Sequence, residues 1–125
     1  MARALLMAMR GAALAGMLLA SGAVAEARGA LAIGACGAWG GAWHFDTDNG
    51  AQNRALNECR GRNCRVVTTF DGLCAAFAYD RKGNCGAFGW ATRATRGEAE
   101  TAALQECVNA NGRECYIRGQ FCDGK

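Results

Sequence analysis

Hydrophobic and polar residues in the second half of the chain alternate in a pattern that predicts two strands, a helix and a third strand. The strand segments alternate with a period of two, and a polar turn at residues 80–84 separates the first two. Thr95 followed by Glu98 is a helix-start signature, and the alanines after it fall on one helical face. The predicted strands are residues 73–79, 85–92 and 115–122.

The first half of the chain repeats this order. Residues 36–40 (CGAWG) recur as residues 85–89 (CGAFG), and residues 55–59 (ALNEC) recur 48 residues later as residues 103–107 (ALQEC). The helix of this copy is predicted to be the weaker one, because Gly50 stands where the second copy has Glu98. The predicted elements are strands at 29–33, 36–45 and 65–70 and a helix at 50–59.

Asp71 and Gly72 join the two copies and form a strong signal for a two-residue hairpin. We therefore expect the last strand of copy one to pair antiparallel with the first strand of copy two. One copy of about 48 residues buries too little surface to be stable alone. The sequence predicts an α+β domain with one mostly antiparallel sheet of about six strands and two helices, built from repeats at about 28–71 and 72–125.

Residues 1–25 have the composition of a secretory signal peptide. Two arginines precede an apolar run, and residues 23–25 (AVA) have the small-x-small pattern of a cleavage site. We expect cleavage before Glu26 and export to the periplasm or the extracellular space. The mature protein is then a single disulfide-rich domain of residues 26–125.

Two other interpretations of this region stay open. One is an uncleaved anchor, although the uncharged stretch at 11–25 has 15 residues against the roughly 20 needed to span a bilayer. The other is a lipoprotein, because residues 33–36 (IGAC) resemble a lipobox. Glu26 and Arg28 separate that motif from the apolar run, which argues against lipidation.

The charge distribution argues against a nucleic-acid partner. The chain has 14 basic and 11 acidic residues, and loss of Arg3 and Arg10 with the signal peptide leaves 12 basic residues against 11 acidic ones. The basic residues are scattered along the sequence, and only residues 60–65 form a dense cluster. Nucleic-acid binding requires a concentrated basic surface. We therefore expect no nucleic-acid partner.

All eight cysteines follow the predicted signal peptide. An even number of cysteines in a short exported chain indicates a disulfide framework. A zinc site is the weaker alternative, because the chain has no Cys-x-x-Cys pair and only one His. We expect no metal and no cofactor. The cysteines are Cys36, Cys59, Cys64, Cys74, Cys85, Cys107, Cys115 and Cys122.

Four segments of the chain carry a family resemblance: residues 55–67, 73–79 (LCAAFAY), 86–90 (GAFGW) and the Ala-rich helix that ends at Cys107. Together they resemble the small secreted bacterial domain of unknown function 4189. The resemblance covers roughly residues 29–122 and implies an exported, disulfide-bonded domain with no catalytic residues to transfer. Cys36 and Cys85 depart from the usual pattern of that family.

The repeat suggests how the cysteines pair. In each copy one pair closes a short loop between the helix end and the next strand. Cys36 and Cys85 occupy equivalent positions, so a pseudo-twofold axis would bring them together. The two remaining cysteines then link the start of copy two to its last strand. Such bonds contribute roughly 2–4 kcal/mol each. The expected pairs are Cys59–Cys64, Cys107–Cys115, Cys36–Cys85 and Cys74–Cys122.

Few residues point to catalysis. His44 begins a His-x-Asp-x-Asp string with Asp46 and Asp48, which is read either as a metal or general-base site or, more simply, as a surface strand end. Glu98 and Glu100 fit solvated charges at a helix start. The cysteine spacings do not match a thioredoxin-type redox motif. We predict that the protein is not an enzyme.

Aromatic residues form the candidate binding surface. Trp39, Trp43 and Phe45 share one face of a predicted strand, opposite a face of small residues. Phe88 and Trp90 are arranged in the same way in copy two. If the Ala-rich helices pack on the small face, the aromatic face is left for a partner. If they cover the aromatic face, the stripe is simply core, as is commoner for large apolar residues.

The sequence therefore favours an exported, monomeric, non-enzymatic binding module of the cell envelope or secretome, with a protein or an envelope glycan as partner and no membrane anchor after signal removal. A small hydrolase or thiol redox enzyme is one alternative, and it requires a cleft that holds His44 with a carboxylate, or a free thiol. An inhibitor or immunity-type protein is the other, and it requires one rigid loop, such as residues 60–63 or 80–84, that projects from the disulfide-bonded framework.

Intact mass spectrometry of the protein exported by its host tests the expected signal cleavage and disulfide formation. We expect a mass that begins at Glu26 and lacks eight hydrogens relative to the reduced protein. Alkylation without reduction adds nothing in that case. A lipid adduct on Cys36, or two or more alkylated thiols, contradicts the scheme.

Overall fold

The computed structural model describes residues 28–83 and 85–123, and the predicted signal peptide at 1–25 lies outside them. The chain forms six strands, two helices and one 3-10 turn. In order, they are β1 (Arg28–Ile33), the 3-10 turn (Ala35–Gly37), β2 (Trp39–Phe45), α1 (Asp48–Glu58), β3 (Arg65–Asp71), β4 (Cys74–Asp80), β5 (Phe88–Arg93), α2 (Arg96–Asn109) and β6 (Cys115–Cys122).

The strands form two antiparallel sheets of three, with orders β2-β1-β3 and β5-β4-β6. The α+β class and the strand-strand-helix-strand order of each repeat are confirmed. The single six-stranded sheet and the hairpin between copies are wrong. Because β4 pairs on both sides with strands of its own repeat, it has no free edge for β3. Gly72, with a φ of 72°, instead turns the chain from one sheet to the other.

The two sheets pack against each other through their large apolar side chains. This inner layer joins residues of both sheets, and Phe77 and Leu31 are almost completely buried at its centre. Phe70 and Phe121, which are equivalent residues of the two repeats, meet there with ring centroids 5.7 Å apart. The buried members are Leu31, Ile33, Phe70, Ala75, Phe77 and Phe121.

Each helix covers the small-residue face of its own sheet. Alanines of α1 pack on alanines of β1 and β2, and those of α2 pack on β4 and β5. The approach is close enough that a Cβ on Gly40 would lie 2.1 Å from the Ala55 carbonyl oxygen. A Cβ on Gly89, the equivalent residue, would lie 2.4 Å from the Cys107 nitrogen. The result is a four-layer arrangement of helix, sheet, sheet and helix.

Both helices begin at a threonine cap. The Thr95 hydroxyl accepts a hydrogen bond from the Glu98 N–H at 3.2 Å, which confirms the predicted cap. Thr47 does the same for the Gly50 N–H at 3.0 Å, so α1 begins two residues before the prediction and tolerates Gly50 in its first turn.

Two of the predicted strands begin three residues late. Cys36 and Cys85 have φ values of 56° and 59°, a left-handed conformation that departs from the extended backbone of a regular strand. The chain therefore turns at each of these residues before β2 and β5 begin at Trp39 and Phe88.

The disulfides are the four pairs expected from the repeat: Cys36–Cys85, Cys59–Cys64, Cys74–Cys122 and Cys107–Cys115. Cys36–Cys85 links the two repeats, and Cys74–Cys122 joins residues that face each other across β4 and β6. In the first repeat, Arg28 and Asp71 occupy the positions equivalent to Cys74 and Cys122, and they too are cross-strand partners. The repeats are therefore alike in backbone but differ in how their outer strands are held.

Substitution of Gly89 by Ala tests the close approach of α2 to β5. The new Cβ meets helix backbone, which cannot move without shifting the layer, so we expect a loss of about 1–3 kcal/mol in the free energy of unfolding. Gly97→Ala is the matched control, because a Cβ there meets nothing within 4 Å and Ala favours helix by up to about 1 kcal/mol. Urea unfolding in which both variants move in the same direction contradicts this account.

Candidate functional site

A cleft runs along β2, which is an edge strand of its sheet within the described residues. We call it the β2 groove. Its volume is ≈ 550 Å³, with β2 along one side and the exposed face of α1 along the other. Its lining residues are Trp39, Gly40, Gly41, Ala42, Trp43, Phe45, Arg54 and Glu58.

Two tryptophans form the aromatic side of this groove. Trp43 packs on Phe121 of the facing sheet, with ring centroids 5.3 Å apart, yet 47% of its surface is exposed. Trp39 stacks on the same ring at 6.3 Å and lies on Gly119, where a Cβ would meet its ring. One side of each ring is therefore held by the inner layer, and Trp43 presents the rest of its surface to solvent.

Charged side chains of α1 form the opposite side. Arg54 Nε and Glu58 Oε2 make an i,i+4 ion pair at 3.1 Å, and both side chains are about half exposed. A surface pair of this kind contributes little to stability. The Arg54 guanidinium and the Glu58 carboxylate can still form hydrogen bonds with a molecule bound beside Trp43. The groove therefore combines an aromatic surface with hydrogen-bonding groups.

A bulge at His44 shapes the end of the groove. His44 has a φ of 64°, and the β1–β2 register shifts between the pairs Arg28–Phe45 and Ala30–Ala42. The extra residue reverses the alternation, so Phe45 packs with the α1 cluster and not on the face of Trp39 and Trp43 as predicted.

The sequence carries a signal for this bulge. The spacing between equivalent residues of the two repeats is 49 at Gly40 and Gly89 but 48 at the helix caps Thr47 and Thr95. The first repeat therefore has one extra residue between these points, and it is accommodated at the bulge.

A buried carboxylate fixes the bulge in place. Asp123 is 1% exposed, and its carboxylate accepts hydrogen bonds from the His44 N–H at 2.7 Å and the Gly72 N–H at 3.0 Å. Its own N–H donates to the Leu73 carbonyl at 2.8 Å. The end of β6 is thereby joined to β2 and to the turn between the sheets. No pattern in the sequence singled out Asp123.

The second pair of predicted aromatic residues lies elsewhere. Phe88 and Trp90 line a smaller cleft of ≈ 450 Å³ along β5, the equivalent edge of the other sheet, with Glu106 and Asn109. Phe88 is 39% exposed, whereas Trp90 is half-buried against the inner layer. The four predicted site residues therefore belong to two grooves at different sheet edges and do not form one stripe.

Asp80 is a second buried carboxylate and holds the loops at the opposite end of the sheets. Its oxygens accept hydrogen bonds from the N–H groups of Lys82, Arg113 and Glu114 at 3.0–3.2 Å. Burial raises the pKa of this carboxyl, but the backbone N–H groups, with that of Gly83, outweigh burial and lower the pKa below its ordinary value.

Comparison with known proteins identifies the family. The model of the domain of unknown function DUF4189 matches residues 29–122, which is most of the chain and both repeats. The chain belongs to the DUF4189 family.

The curated relatives of this DUF4189 domain are mycobacterial and carry no functional description. The uncharacterized protein Rv1813c of Mycobacterium tuberculosis is 38% identical over 71 residues, which are 57% of this chain and 49% of the relative. Protein Rv1269c of the same species is 35% identical over 57 residues, 46% of each chain. The chain thus spans about half the length of the curated relatives that it matches. No solved structure matches it.

The structure of this DUF4189 domain bears on the residues that an enzyme would need. His44 is exposed at a bulge, and the carboxylate nearest its backbone is Asp123, which is already bound to two N–H groups. No cysteine of the described residues is free, and no three His, Cys, Asp or Glu side chains there are grouped to hold a metal.

The loops considered for an inhibitor are closely tied in this DUF4189 domain. The Arg62 carbonyl in loop 60–63 accepts a hydrogen bond from the Ala35 N–H at 2.8 Å, and in loop 80–84 Asp80 is buried. Asn84 lies outside the described residues. Within the described ranges, no helix has the length and apolar character needed to cross a membrane.

The lowered pKa of Asp80 predicts how stability depends on pH. The carboxylate contributes stability above its unfolded pKa of about 3.9, and that contribution is lost as the pH falls through the lower, folded pKa. We expect Asp80→Asn to be less stable than the parent at pH 7 and to show a flatter loss of stability between pH 5 and 3. Asp46→Asn, at an exposed position, is the control. Urea unfolding with equal slopes for parent and Asp80→Asn contradicts the assignment.

Proposed function

We propose that this protein is an exported, monomeric binding module without enzymatic activity and that the β2 groove is its ligand site. The observation that carries the proposal is Trp43, which is held on Phe121 yet leaves 47% of its surface open above the groove. Large apolar side chains that are rigidly held and exposed are typical of binding sites. The packing of the inner layer does not account for the exposure of Trp43, because its contact with Phe121 uses only one side of the ring.

Export is supported by the cysteines. Four disulfides in one small domain are typical of proteins that fold in an oxidising compartment, such as the periplasm or the extracellular space. Residues 1–25 supply the signal peptide in this proposal.

A binding role without catalysis is supported by the use of the buried carboxylates. Asp80 and Asp123 are both engaged by backbone N–H groups, as structural carboxylates are, and neither lines the β2 groove. The groove itself offers aromatic rings and an exposed ion pair, which are groups that bind and orient a ligand.

We propose an envelope glycan as the ligand of the groove. A sugar ring has an apolar face that stacks on an aromatic ring and hydroxyl groups that bond to charged side chains, here Arg54 and Glu58. Recognition of a protein strand by pairing with β2 is less favoured, because the backbone of Gly40, Gly41 and Ala42 is buried. A protein partner remains the competing outcome of the experiment below.

Titration with soluble peptidoglycan fragments, followed by tryptophan fluorescence and by NMR, tests this proposal. We expect Trp43→Ala to weaken binding at least tenfold, with some loss of thermal stability because about half of the side chain packs on the inner layer, so the NMR spectrum is used to confirm that the variant is folded. Val108→Ala is the control, since it removes an apolar side chain that is 53% exposed and lies outside the groove.

Four results would contradict the proposal. Equal binding by Trp43→Ala and parent removes the groove as the site. No binding by the parent removes the glycan, and capture of an envelope protein by the parent but not by Trp43→Ala assigns the groove to that protein. Cleavage of the fragments during the titration overturns the non-enzymatic role.

A further inference from the structure

The second surface of interest is the end of the domain at the Cys36–Cys85 disulfide. The two repeats bring their loops to this end, because β1 and β4 finish here and the other strands of each sheet begin here. Six exposed basic residues from both repeats lie in these loops or at the start of the strand that follows. We call this surface the basic pole, and its residues are Arg60, Arg62, Arg65, Arg81, Lys82 and Arg113.

Hydrogen bonds hold the basic residues of both repeats in place. The Ala35 N–H donates to the Arg62 carbonyl at 2.8 Å, beside Cys36. The Arg81 N–H donates to the Glu114 carbonyl at 3.2 Å, and the Asp80 carboxylate binds the N–H groups of Lys82 and Arg113. The positive charges therefore stand on a fixed backbone.

The acidic residues at this end do not neutralise the basic pole. Asp80 is buried and bound by N–H groups, and Glu58 is paired with Arg54. Glu114 is the exposed carboxylate among the loops. Within residues 28–83 and 85–123, no salt bridge involves any of the six basic side chains. The near-neutral net charge of residues 26–125, with 12 basic and 11 acidic side chains, thus conceals a separation of charge.

The opposite end has the reverse balance. Asp46, Asp71 and Glu98 are exposed there, Asp123 is buried, and Asp48 lies 3.6 Å from Arg28 in an ion pair. Arg93 and Arg96 are the other basic residues of that end.

The helix dipoles explain only part of the basic pole. Both helices end here, and cations near a helix C-terminus are stabilising by about 0.3–1 kcal/mol. Arg60 follows α1 closely and fits that role. Arg65 begins a strand, while Arg81 and Lys82 lie in the turn after β4, so the dipoles do not account for these residues.

Apolar side chains accompany the positive charge. Within the described residues four large apolar side chains are exposed, and three of them lie at this end or within one turn of a helix end that points to it. These are Phe88, which begins β5, with Leu56 near the end of α1 and Val108 near the end of α2. A soluble polyanion has no apolar region in which these side chains can be buried. At the surface of an anionic bilayer, the headgroups attract cations and the boundary between headgroups and acyl chains takes up apolar side chains.

We propose that the basic pole is a contact surface for a bilayer rich in anionic phospholipids. The contact is peripheral and reversible, and it leaves the β2 groove free, since Trp43 lies towards the other end of β2. The domain is then oriented on the membrane surface by its charge separation.

Co-sedimentation with vesicles tests this proposal, using the oxidised protein with the N-terminus that its host leaves. The vesicles contain phosphatidylcholine alone or with 30% phosphatidylglycerol. At 50 mM NaCl we expect binding only to the anionic vesicles, with loss of binding at 500 mM NaCl, where the charges are screened. Arg60→Gln with Arg62→Gln is expected to lower the partition coefficient about 25-fold, at about fivefold for each cation.

The matched control is Arg93→Gln with Arg96→Gln. It changes the net charge by the same amount at the opposite end, and we expect less than a twofold effect. The N-terminus is common to all variants, so it does not affect this comparison. Val108→Ser is expected to weaken vesicle binding while leaving the salt dependence unchanged.

Three outcomes overturn the proposal. Equal losses in the two double variants show that net charge alone is responsible. Equal binding to the two vesicle types removes the anionic lipid. Binding to polygalacturonate or to DNA without binding to anionic vesicles assigns the pole to a soluble polyanion. Glycan binding at the β2 groove is measured without vesicles, so failure of one proposal leaves the other standing.

Discussion

The contact between the aromatic faces of the two sheets is the interaction on which the rest of this domain depends. A three-stranded sheet with one helix has a second apolar face that it cannot cover alone, and the part of the chain that the structure describes offers no other element to cover it. Each repeat therefore serves as the cover for the other. With the aromatic faces turned inward, each helix packs on the outer face of its own sheet. The small residues there allow the helix to lie close to the strands.

The loops and chain ends are fixed by polar and covalent links that surround this apolar centre. Asp80 gathers the loops at one end, and Asp123 joins β6 to the His44 bulge and to Gly72 at the other. The disulfides secure the positions where helices give way to strands and where the repeats meet. The surfaces proposed for binding lie on a framework with few free segments, so a ligand has little ordering of loops to bring about.

Local patterns in the sequence predict the local structure well. The Thr95 cap, the alanine face of α2 and the equivalence of Cys36 with Cys85 all follow from spacing, and each matches the structure. The arrangement of the sheets could not be derived in this way, because a period of two shows which residues share a face but not what covers that face. The helices do pack on the small face, yet most of the aromatic face is covered by the other repeat, and Trp43 and Phe88 remain exposed at its edges.

The candidate site was predictable only in part, for a related reason. Trp43 was predicted as a site residue because it is aromatic. Its exposure depends on its position at the edge of one sheet, where its ring packs on Phe121 of the other sheet. The basic pole was missed because its residues come from three separate segments of the chain, at 60–65, 81–82 and 113, which only the fold brings to one end.

The Cys36–Cys85 bond joins equivalent positions of the two repeats, and this gives it a property that Cys74–Cys122 lacks. A bond between equivalent positions is self-complementary, so two separate copies of a single repeat would be joined by it as readily as two halves of one chain. A single repeat with one such cysteine therefore has the means to form a disulfide-linked homodimer, whereas a pair such as Cys74 and Cys122 closes within one repeat.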